Sequence, residues 1–169
     1  MNKNDNSEYV VGLAEIYPYR KETNKRMVEN YKNAPDEEKE DVPFEEKTII
    51  DHSSGEISTE ECAILLEAVK KELQNEMYQF YVGTSYRHCL IWDKGQVVEL
   101  TPPHDVLTQV IGQHLPQDEA LREMMKKSYD ILVNHPVNIA RKEKGLNPAN
   151  CCWFWGAGTK PMLSSFYEK

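Results

Sequence analysis

Residues 83–105, GTSYRHCLIWDKGQVVELTPPHD, form the stretch around which the rest of the chain is organised. Their pattern predicts two strands that join at residues 93–95, followed by a loop that Pro102 and Pro103 stiffen. Residues 89–92 are a nearly continuous apolar run, which is typical of a central strand buried on both faces. We therefore expect this run to lie in the middle of a sheet.

Arg87 and His88 stand where this strand begins, and they combine a fixed cation with a titratable imidazole. A cation on a rigid strand is well placed to bind an anion, because the strand fixes its position. In the alternative interpretation, Arg87 pairs with a structural carboxylate and His88 caps a turn. Short motifs often mislead, so the residues alone favour this structural interpretation.

The composition indicates the class of protein. At 169 residues the chain fits one domain, and an apolar share of 40% with 9% aromatics suffices for a modest core. The net charge of -8 argues against general nucleic-acid binding but is compatible with a local basic pocket for a small anion. No apolar run approaches membrane-spanning length, and no signal-peptide pattern opens the chain. We therefore expect a soluble, cytoplasmic protein without nucleic-acid or membrane partners.

The cysteines and histidines give no sign of a metal site. The four cysteines include no C-x-x-C pair, and the adjacent Cys151 and Cys152 are poorly placed to bridge or to chelate one zinc ion. Cys62 lies on a helical pattern and Cys89 on a strand, so buried free thiols are expected. The five histidines show no ligand spacing. The sequence therefore predicts no metal or cofactor held by this chain alone.

The beginning of the chain differs in character from the rest. Residues 9–19 are predicted to form a strand, and residues 27–31 could form a short helix. Residues 36–41 are an acidic run, which predicts a mobile solvated loop, with an interaction tail as the alternative. We therefore divide the chain into a variable segment, residues 1–46, and a main domain, residues 47–169.

The first helix of the main domain is signalled by its start. Ser58 with Glu61 three residues later forms a capping box, and Ile57 is placed for a hydrophobic staple. These signals predict a helix that runs to about Gln74. Its buried apolar stripe is expected to consist of Ile64, Leu65, Ala68, Val69 and Leu73.

Two more helices and four more strands complete the pattern. One helix is expected from Asp118 to about Asn134, and Pro136 opens another that Gly145 ends. Strands are expected at residues 48–50, 77–82, 86–92 and 150–155. The middle two are joined too tightly for a parallel crossover. We therefore predict an α+β fold, with a mainly antiparallel sheet of four to five strands and two principal helices packed on one face.

Three polar clusters at element ends are candidates for chemistry. They are Tyr86-Arg87-His88, then His135 with Asn138 and Arg141, then Gly156, Gly158, Thr159 and Lys160. Each has a structural alternative as a cap, a surface cation or a turn. Together their cations and helix-start amides would suit a phosphate or a carboxylate. Residues 51–54, Asp-His-Ser-Ser, resemble a nucleophile group, but sequence neighbours rarely face one another, so a turn is expected there.

Several longer motifs agree with one family in their order and spacing. They are DHSSGEISTEE (51–61), GTSYRH (83–88), TPPHD (101–105), HPVN (135–138), NPAN (147–150), WGAGTKP (155–161) and LSSF (163–166). On these motifs, residues 47–169 resemble the cofactor-independent, or 2,3-bisphosphoglycerate-independent, phosphoglycerate mutases of the archaeal type, in the alkaline phosphatase superfamily. Residues 1–46 match this family poorly.

The resemblance implies that this chain is an inserted, substrate-binding cap domain. In the family, a core domain holds two divalent metal ions (Mn, Mg or Zn) and a serine that becomes phosphorylated, and neither region has a counterpart here. We therefore expect an isolated inserted domain, inactive alone, with the core domain and phosphoglycerate as partners. The complete enzyme is expected to interconvert 3-phosphoglycerate and 2-phosphoglycerate while the cap domain closes over the anionic substrate.

The resemblance also indicates which residues contact the anion. No catalytic residue is expected in this chain. The expected substrate-binding residues are Arg87 and His88, then Arg141 and Lys160, with His135 and Asn138 shaping the pocket.

A second hypothesis is a free-standing binding or regulatory module for a phosphorylated acid or a protein partner. Related proteins labelled as homoserine kinases leave transfer from a nucleotide open as well. A reading frame that continues past Lys169 into a metal-binding core would favour the cap domain. Exposed apolar surface is expected where the core domain packs, and formation of a homo-oligomer is an alternative way of covering it.

Overall fold

The structure is a computed structural model, and it describes residues 6–17 and 42–159. The strands are β1 (Asn6–Tyr17), β2 (Thr48–Asp51), β3 (Tyr78–Thr84), β4 (Arg87–Asp93) and β5 (Cys151–Thr159). The helices are α1 (Thr59–Leu73), α2 (Glu119–Leu132) and α3 (Pro136–Glu143), with short 3-10 turns at Phe44–Glu46, Pro103–Asp105 and Ile111–His114. The short helix and the acidic run predicted before residue 42 lie outside the described residues.

Strand β1 is the centre of the sheet. Strand β4 pairs with it over residues 6–12 and β5 over residues 7–14, so these two strands flank it on opposite sides. Strand β3 pairs with the far side of β4, and β2 pairs with the last residues of β1. Each of these pairings is antiparallel. The prediction of an α+β fold with a mainly antiparallel sheet is therefore confirmed, and β4 is an inner strand as expected.

Helix α1 begins where its capping signal predicts. Ser58 Oγ accepts a hydrogen bond from Glu61 N at 3.1 Å, and the preceding Ile57 is buried. The buried stripe differs from the prediction, because Ile64 is 53% exposed while Leu66 is buried. The buried positions of α1 are Cys62, Leu65, Leu66, Val69 and Leu73. This set is itself a helical repeat, so the prediction placed part of the stripe on the wrong side of the helix.

Helices α2 and α3 also begin at side-chain caps. Asp118 Oδ1 accepts a hydrogen bond from Leu121 N at 3.0 Å, and His135 Nδ1 accepts one from Val137 N at 3.3 Å. Gly145 follows α3 with a φ of +71°, as its predicted role requires. Helix α1 contacts β3, α2 contacts β5 and the two helices contact each other, which places both on one face of the sheet. Within the described ranges, every helix is too short or too polar to cross a bilayer.

In the described part of the chain, β3 lies at an edge of the sheet, where side chains bind some of its amides. Gln74 Oε1 accepts a hydrogen bond from Phe80 N at 3.0 Å. Asn75 Oδ1 accepts hydrogen bonds from Met77 N at 2.8 Å and from Tyr78 N at 3.0 Å. The segment between α1 and β3 therefore closes part of this edge.

The prediction of a second strand after β4 is wrong. The structure assigns no strand over residues 94–102. Instead, Val98 and Leu100 pack against the core, and Thr101 O accepts a hydrogen bond from Trp153 Nε1 at 2.8 Å. The segment is therefore held by side-chain packing rather than by pairing in the sheet.

Strand β4 is fully buried on one face only. His88 and Leu90 are buried, whereas Cys89 and Ile91 are half-buried. Alternate residues of a strand point to opposite faces, and the helices cover the face of the first pair. The prediction of burial on both faces is therefore wrong. All four cysteines are free, as predicted, and Cys89 is the one that is half-buried.

Strand β5 extends beyond its predicted end at Trp155. The strand continues to Thr159 and pairs with β1 along its length. The register shifts between Glu8 and Val10 of β1, where the opposing Gly156 has a φ of +62°. A glycine at that φ accommodates the extra residue of a β-bulge. The described part of the glycine-rich segment, residues 156–159, is therefore part of a bulged strand and not a turn.

Candidate functional site

Hydrogen bonds hold two turns together at the amino-terminal end of α1. One is the turn of residues 51–57, and the other joins β3 to β4 at Ser85 and Tyr86. Ser85 N donates a hydrogen bond to Thr59 Oγ1 at 2.9 Å, and Ser85 Oγ donates one to Ile57 O at 2.6 Å. The β3–β4 turn is therefore held against the start of α1.

These two turns and the segment after β4 bring together four side chains, named here the His52 cluster: His52, Tyr86, Arg87 and His104. The His52 ring contacts the Tyr86 ring and the His104 ring edge-on, with centroid distances of 5.5 Å and 5.9 Å. The Arg87 guanidinium lies over the Tyr86 ring, 5.3 Å from its centroid. His52 and Tyr86 are half-buried, whereas Arg87 and His104 are exposed. The cluster therefore presents a guanidinium, two imidazoles and a phenol to solvent.

Arg87 has no carboxylate partner among the side chains that the structure describes, and its contact there is the ring of Tyr86. The alternative interpretation from the sequence, in which Arg87 pairs with a structural carboxylate, is not observed in that part of the chain. A guanidinium that stacks on an aromatic ring keeps its planar fork of N–H donors oriented. Arg87 therefore presents oriented N–H donors, of a kind that suits an anion, on the outer face of β4.

His52 has one nitrogen without a partner. His52 Nδ1 is buried and accepts no hydrogen bond from the described residues, nor does it donate one to them. A proton on this atom would be a buried donor without an acceptor, which costs free energy. A tautomer with its proton on Nε2 avoids this unpaired buried donor and would present an N–H group to the cluster.

His88 does not join Arg87 in the cluster. It is 4% exposed, its Nδ1 accepts a hydrogen bond from Gly83 N at 3.1 Å, and its Nε2 lies 3.0 Å from Cys62 Sγ. Burial lowers the pKa of His88 to about 4, so the ring is neutral at pH 7. Neighbouring residues on a strand point to opposite faces, so Arg87 and His88 cannot bind one anion together.

Arg141 and Asn138 are buried on α3, and both bind other parts of the fold. Asn138 Nδ2 donates to Leu132 O and to Ala149 O at 2.9 Å, and its Oδ1 accepts from Ala149 N at 2.9 Å. Arg141 is 4% exposed and forms an ion pair with the Glu61 carboxylate. Arg141, predicted as an anion contact, and Asn138, predicted to shape the pocket, therefore both have protein partners.

His135 lies away from the His52 cluster. It caps α3, and its pKa is lowered by burial and by the nearby charge of Lys71. Lys71 stands at the end of α1 opposite to Thr59, which binds the β3–β4 turn. At about 1.5 Å per residue, the helix separates these two positions by about 18 Å.

Lys160 lies outside the described residues, but its predecessor Thr159 is placed by the register of the sheet. Thr159 pairs with Ser7 of β1, whereas Arg87 pairs with Gly12. At about 3.4 Å per residue, these two positions on β1 are about 17 Å apart. The described part of β5 therefore ends far from Arg87.

The sequence does not predict two members of the His52 cluster as candidates for chemistry. His52 is expected in a turn and His104 in a stiffened loop. The available signal is that both histidines lie inside family motifs, residues 51–61 and 101–105. The contact between the two rings arises only when the segment after β4 packs against the turn of residues 51–57. No sequence pattern links the two motifs, so the sequence does not predict this contact.

Comparison with known proteins places the chain in a family. Residues 36–138 match the model of a family described as 2,3-bisphosphoglycerate-independent phosphoglycerate mutase. The chain belongs to this family. The phosphoglycerate mutase of Methanosarcina barkeri is 44% identical over 132 residues, which cover 75% of this chain and 33% of that protein. The probable phosphoglycerate mutase of Geobacter sulfurreducens is 42% identical over 123 residues, with 70% and 31% covered.

Two solved structures share the fold of this chain. The cofactor-independent phosphoglycerate mutase of Thermoplasma acidophilum superposes with a TM-score of 0.59 at 19% identity, covering 98% of this chain and 40% of that one. The PH0037 protein of Pyrococcus horikoshii superposes with a TM-score of 0.53 at 16% identity, covering 96% and 30%. The chain spans about a third of the length of the sequence relatives that it matches. It therefore matches only one part of each of these relatives.

Proposed function

We propose that this chain is the substrate-binding cap domain of a cytoplasmic phosphoglycerate mutase. The full enzyme would interconvert 3-phosphoglycerate and 2-phosphoglycerate through a phosphoserine on a core domain. The observation that carries the proposal is the His52 cluster, in which the family motifs 51–61, 83–88 and 101–105 meet at one exposed surface. The names of the relatives and the third of their length that the chain spans support the same assignment.

The donors of the His52 cluster suit a phosphorylated hydroxy acid. Both phosphoglycerates carry a carboxylate and a phosphate, so their binding needs a cation and further hydrogen-bond donors. Arg87 is proposed to bind the carboxylate, because its guanidinium is exposed and is oriented by Tyr86. His52 and His104 are proposed to contact the two hydroxyl oxygens between which the phosphoryl group moves. The cluster would thus hold glycerate while the phosphoryl group rests on the core domain.

The two divalent metal ions that the resemblance implies would be held by the core domain and not by this chain. Among the residues that the structure describes, no three His, Cys, Asp or Glu side chains are grouped to hold a metal ion. We therefore derive no step through a metal in this domain. Closure of the cap domain over the core would exclude water from the phosphoenzyme and so protect it from hydrolysis.

The remaining candidate residues that the structure describes would not bind the anion together with Arg87. His88, Asn138 and Arg141 would stabilise the cap domain, because their polar atoms bind other parts of the fold. His135 would not share an anion with Arg87, because it lies near Lys71 at the far end of α1. Lys160 lies outside the described residues and stays a predicted substrate contact.

The test is a calorimetric titration of this chain with 3-phosphoglycerate, repeated with Arg87→Ala. We expect saturable binding that becomes at least about tenfold weaker in the variant, because a charge-assisted hydrogen bond contributes about 1.5–3 kcal/mol. The enthalpy and affinity are read from the same titration.

A matched control separates a specific contact from a change of net charge. Lys126→Ala removes another exposed cation, on α2, and should leave the affinity unchanged. Absence of binding at millimolar 3-phosphoglycerate would contradict a preorganised site in this chain. Equal weakening in both variants would contradict the role of Arg87.

A further inference from the structure

We propose that Arg141 is a positioning residue for the His52 cluster. It holds the turn that carries His52 in place without touching the ligand itself. This inference rests on the proposed function and extends it from the exposed donors to a buried residue on α3.

The turn that carries His52 is built from backbone that needs outside support. Ser54, Gly55 and Glu56 have φ values of +50°, +68° and +53° in succession. The left-handed region is disfavoured for residues that carry a side chain, which applies to Ser54 and Glu56. Such a run persists only where surrounding contacts hold it.

Arg141 supplies part of that support from α3. One terminal nitrogen donates to Ser54 O at 2.8 Å, and Nε donates to Asn147 O at 2.8 Å. The other terminal nitrogen binds the Glu61 carboxylate on α1. One guanidinium therefore joins the turn, α1 and the segment after α3, and its burial keeps it from a ligand in solvent.

Asp51 holds the same turn from within. Its Oδ1 accepts from Ser53 N at 2.8 Å and Ser53 Oγ at 2.9 Å, and its Oδ2 accepts from Gly55 N at 2.6 Å and Asn147 Nδ2 at 2.9 Å. Burial acts to raise the pKa of Asp51, but these hydrogen bonds outweigh it and leave the pKa below its ordinary value. Because the carboxylate is ionised at pH 7, it accepts all four bonds. His52 therefore stands between two residues, Asp51 and Ser53, whose positions are fixed.

The turn is also linked to the rest of the cluster. Ser54 Oγ donates to Leu13 O at 2.9 Å, and Ile57 O accepts from Ser85 Oγ at 2.6 Å. The two residues after Ser85 are cluster members, so a shift of the turn changes the spacing between the His52 ring and the guanidinium on β4. Loss of Arg141 should therefore change the geometry of the anion site, although Arg141 does not contact the anion.

The test compares Arg141→Gln, Arg141→Lys and Leu121→Ala in this chain. The Gln variant removes the charge, and the Lys variant keeps it without the planar three-way fork. Leu121→Ala removes a fully buried side chain near the start of α2 and serves as a control for lost stability. All variants are measured at a temperature where circular dichroism shows them folded.

The first readout is the affinity for 3-phosphoglycerate. We expect at least tenfold weaker binding for Arg141→Gln, partial recovery for Arg141→Lys and a change of less than twofold for Leu121→Ala. Unchanged affinity in the folded Gln variant, or equal weakening in the Leu121 variant, would overturn the positioning role.

The second readout needs no ligand. The ring resonances of His52 in NMR spectra should shift or broaden in Arg141→Gln and stay in place in Leu121→Ala. Asn147→Ala is a milder variant, which removes the hydrogen bond from Nδ2 to Asp51 Oδ2 and should shift the same signals if the Gln variant does not fold. Unchanged His52 resonances across the folded variants would overturn the proposal. Failure of the natural chain to bind 3-phosphoglycerate would overturn the proposed function alone.

Discussion

The two faces of β4 carry adjacent residues in opposite situations. On the outer face, Arg87 is exposed and lies over the Tyr86 ring, without a carboxylate partner in the described residues. On the inner face, His88 is buried and both of its ring nitrogens have partners. A single step along the strand thus separates a candidate ligand from a core residue. Polar residues in one motif therefore share a site only if the backbone turns them to the same side.

The largest effect should come from the inner face, as a pH dependence of stability. The pKa of His88 is about 4 in the folded chain and near the ordinary 6.5 in the unfolded chain. The unfolded state therefore binds more protons below pH 6.5, so this stability is complete above 6.5 and is lost as the pH falls towards 4. The loss should be on the order of 3 kcal/mol, from the free energy of about 1.36 kcal/mol per pH unit. Urea denaturation at pH 7, 5.5 and 4.5 measures it.

The His88→Gln variant is the control for other titrating groups. It should be less stable than the natural chain at pH 7 but lose less of its stability on acidification, because the titrating ring is gone. Identical pH slopes in the two proteins would show that His88 is not the buried neutral imidazole that its contacts indicate.

An intermediate effect should follow from Gly83→Ala, which disturbs both faces at once. A methyl group there would lie 2.2 Å from Arg87 O and 3.3 Å from His88 Cα. The start of β4 would have to move, which should lower the free energy of unfolding by about 1–3 kcal/mol. Gly158→Ala, whose new methyl group would meet nothing within 4 Å, is the matched control and should cost less in the same denaturation assay. Equal losses would argue against a tight approach at Gly83.

The smallest effect should come from the outer face. Arg87→Ala should change the free energy of unfolding by less than about 0.5 kcal/mol, because exposed side chains without buried partners contribute little. Denaturation of the same sample that is used for the titration measures this directly. A loss of several times that size would make Arg87 a structural residue and would remove the contrast with His88.

The helix starts are predictable from the sequence because their signals are local. Ser58, Asp118 and His135 each accept a hydrogen bond from an amide two or three residues later. Such a cap needs only its own neighbours, so no knowledge of the remaining fold is required. The α+β class follows from the same local patterns, together with the tight turn between β3 and β4.

The extent of β5 and the unpaired segment after β4 depend on distant partners. Gly156 resembles the end of a strand in the sequence, but β1 accommodates it as a bulge and pairing resumes beyond it. Val98 and Leu100 alternate as a strand would, yet they pack on the core without entering the sheet. In both cases, whether the segment pairs in the sheet depends on residues that are distant in sequence, and local patterns do not identify these partners.

The candidate site divides in the same way. Arg87 is predictable as an exposed cation on a rigid strand, but its neighbours His52 and His104 come from separate motifs that meet only in the fold. Arg141 is a cation, as an anion ligand would be. Its partner Glu61, however, lies 80 residues away in sequence and binds it in the interior of the fold. Charge is visible in a sequence, whereas the partner that neutralises it is not.

The partly closed edge of β3 affects how this domain behaves in concentrated solution. An incoming strand from another molecule must find free amides, but those of Phe80 and Tyr78 already bind the side chains of Gln74 and Asn75. Fibril-like stacking through this edge would first have to break these bonds. The side chains of Gln74 and Asn75 thus disfavour self-assembly through this part of the edge.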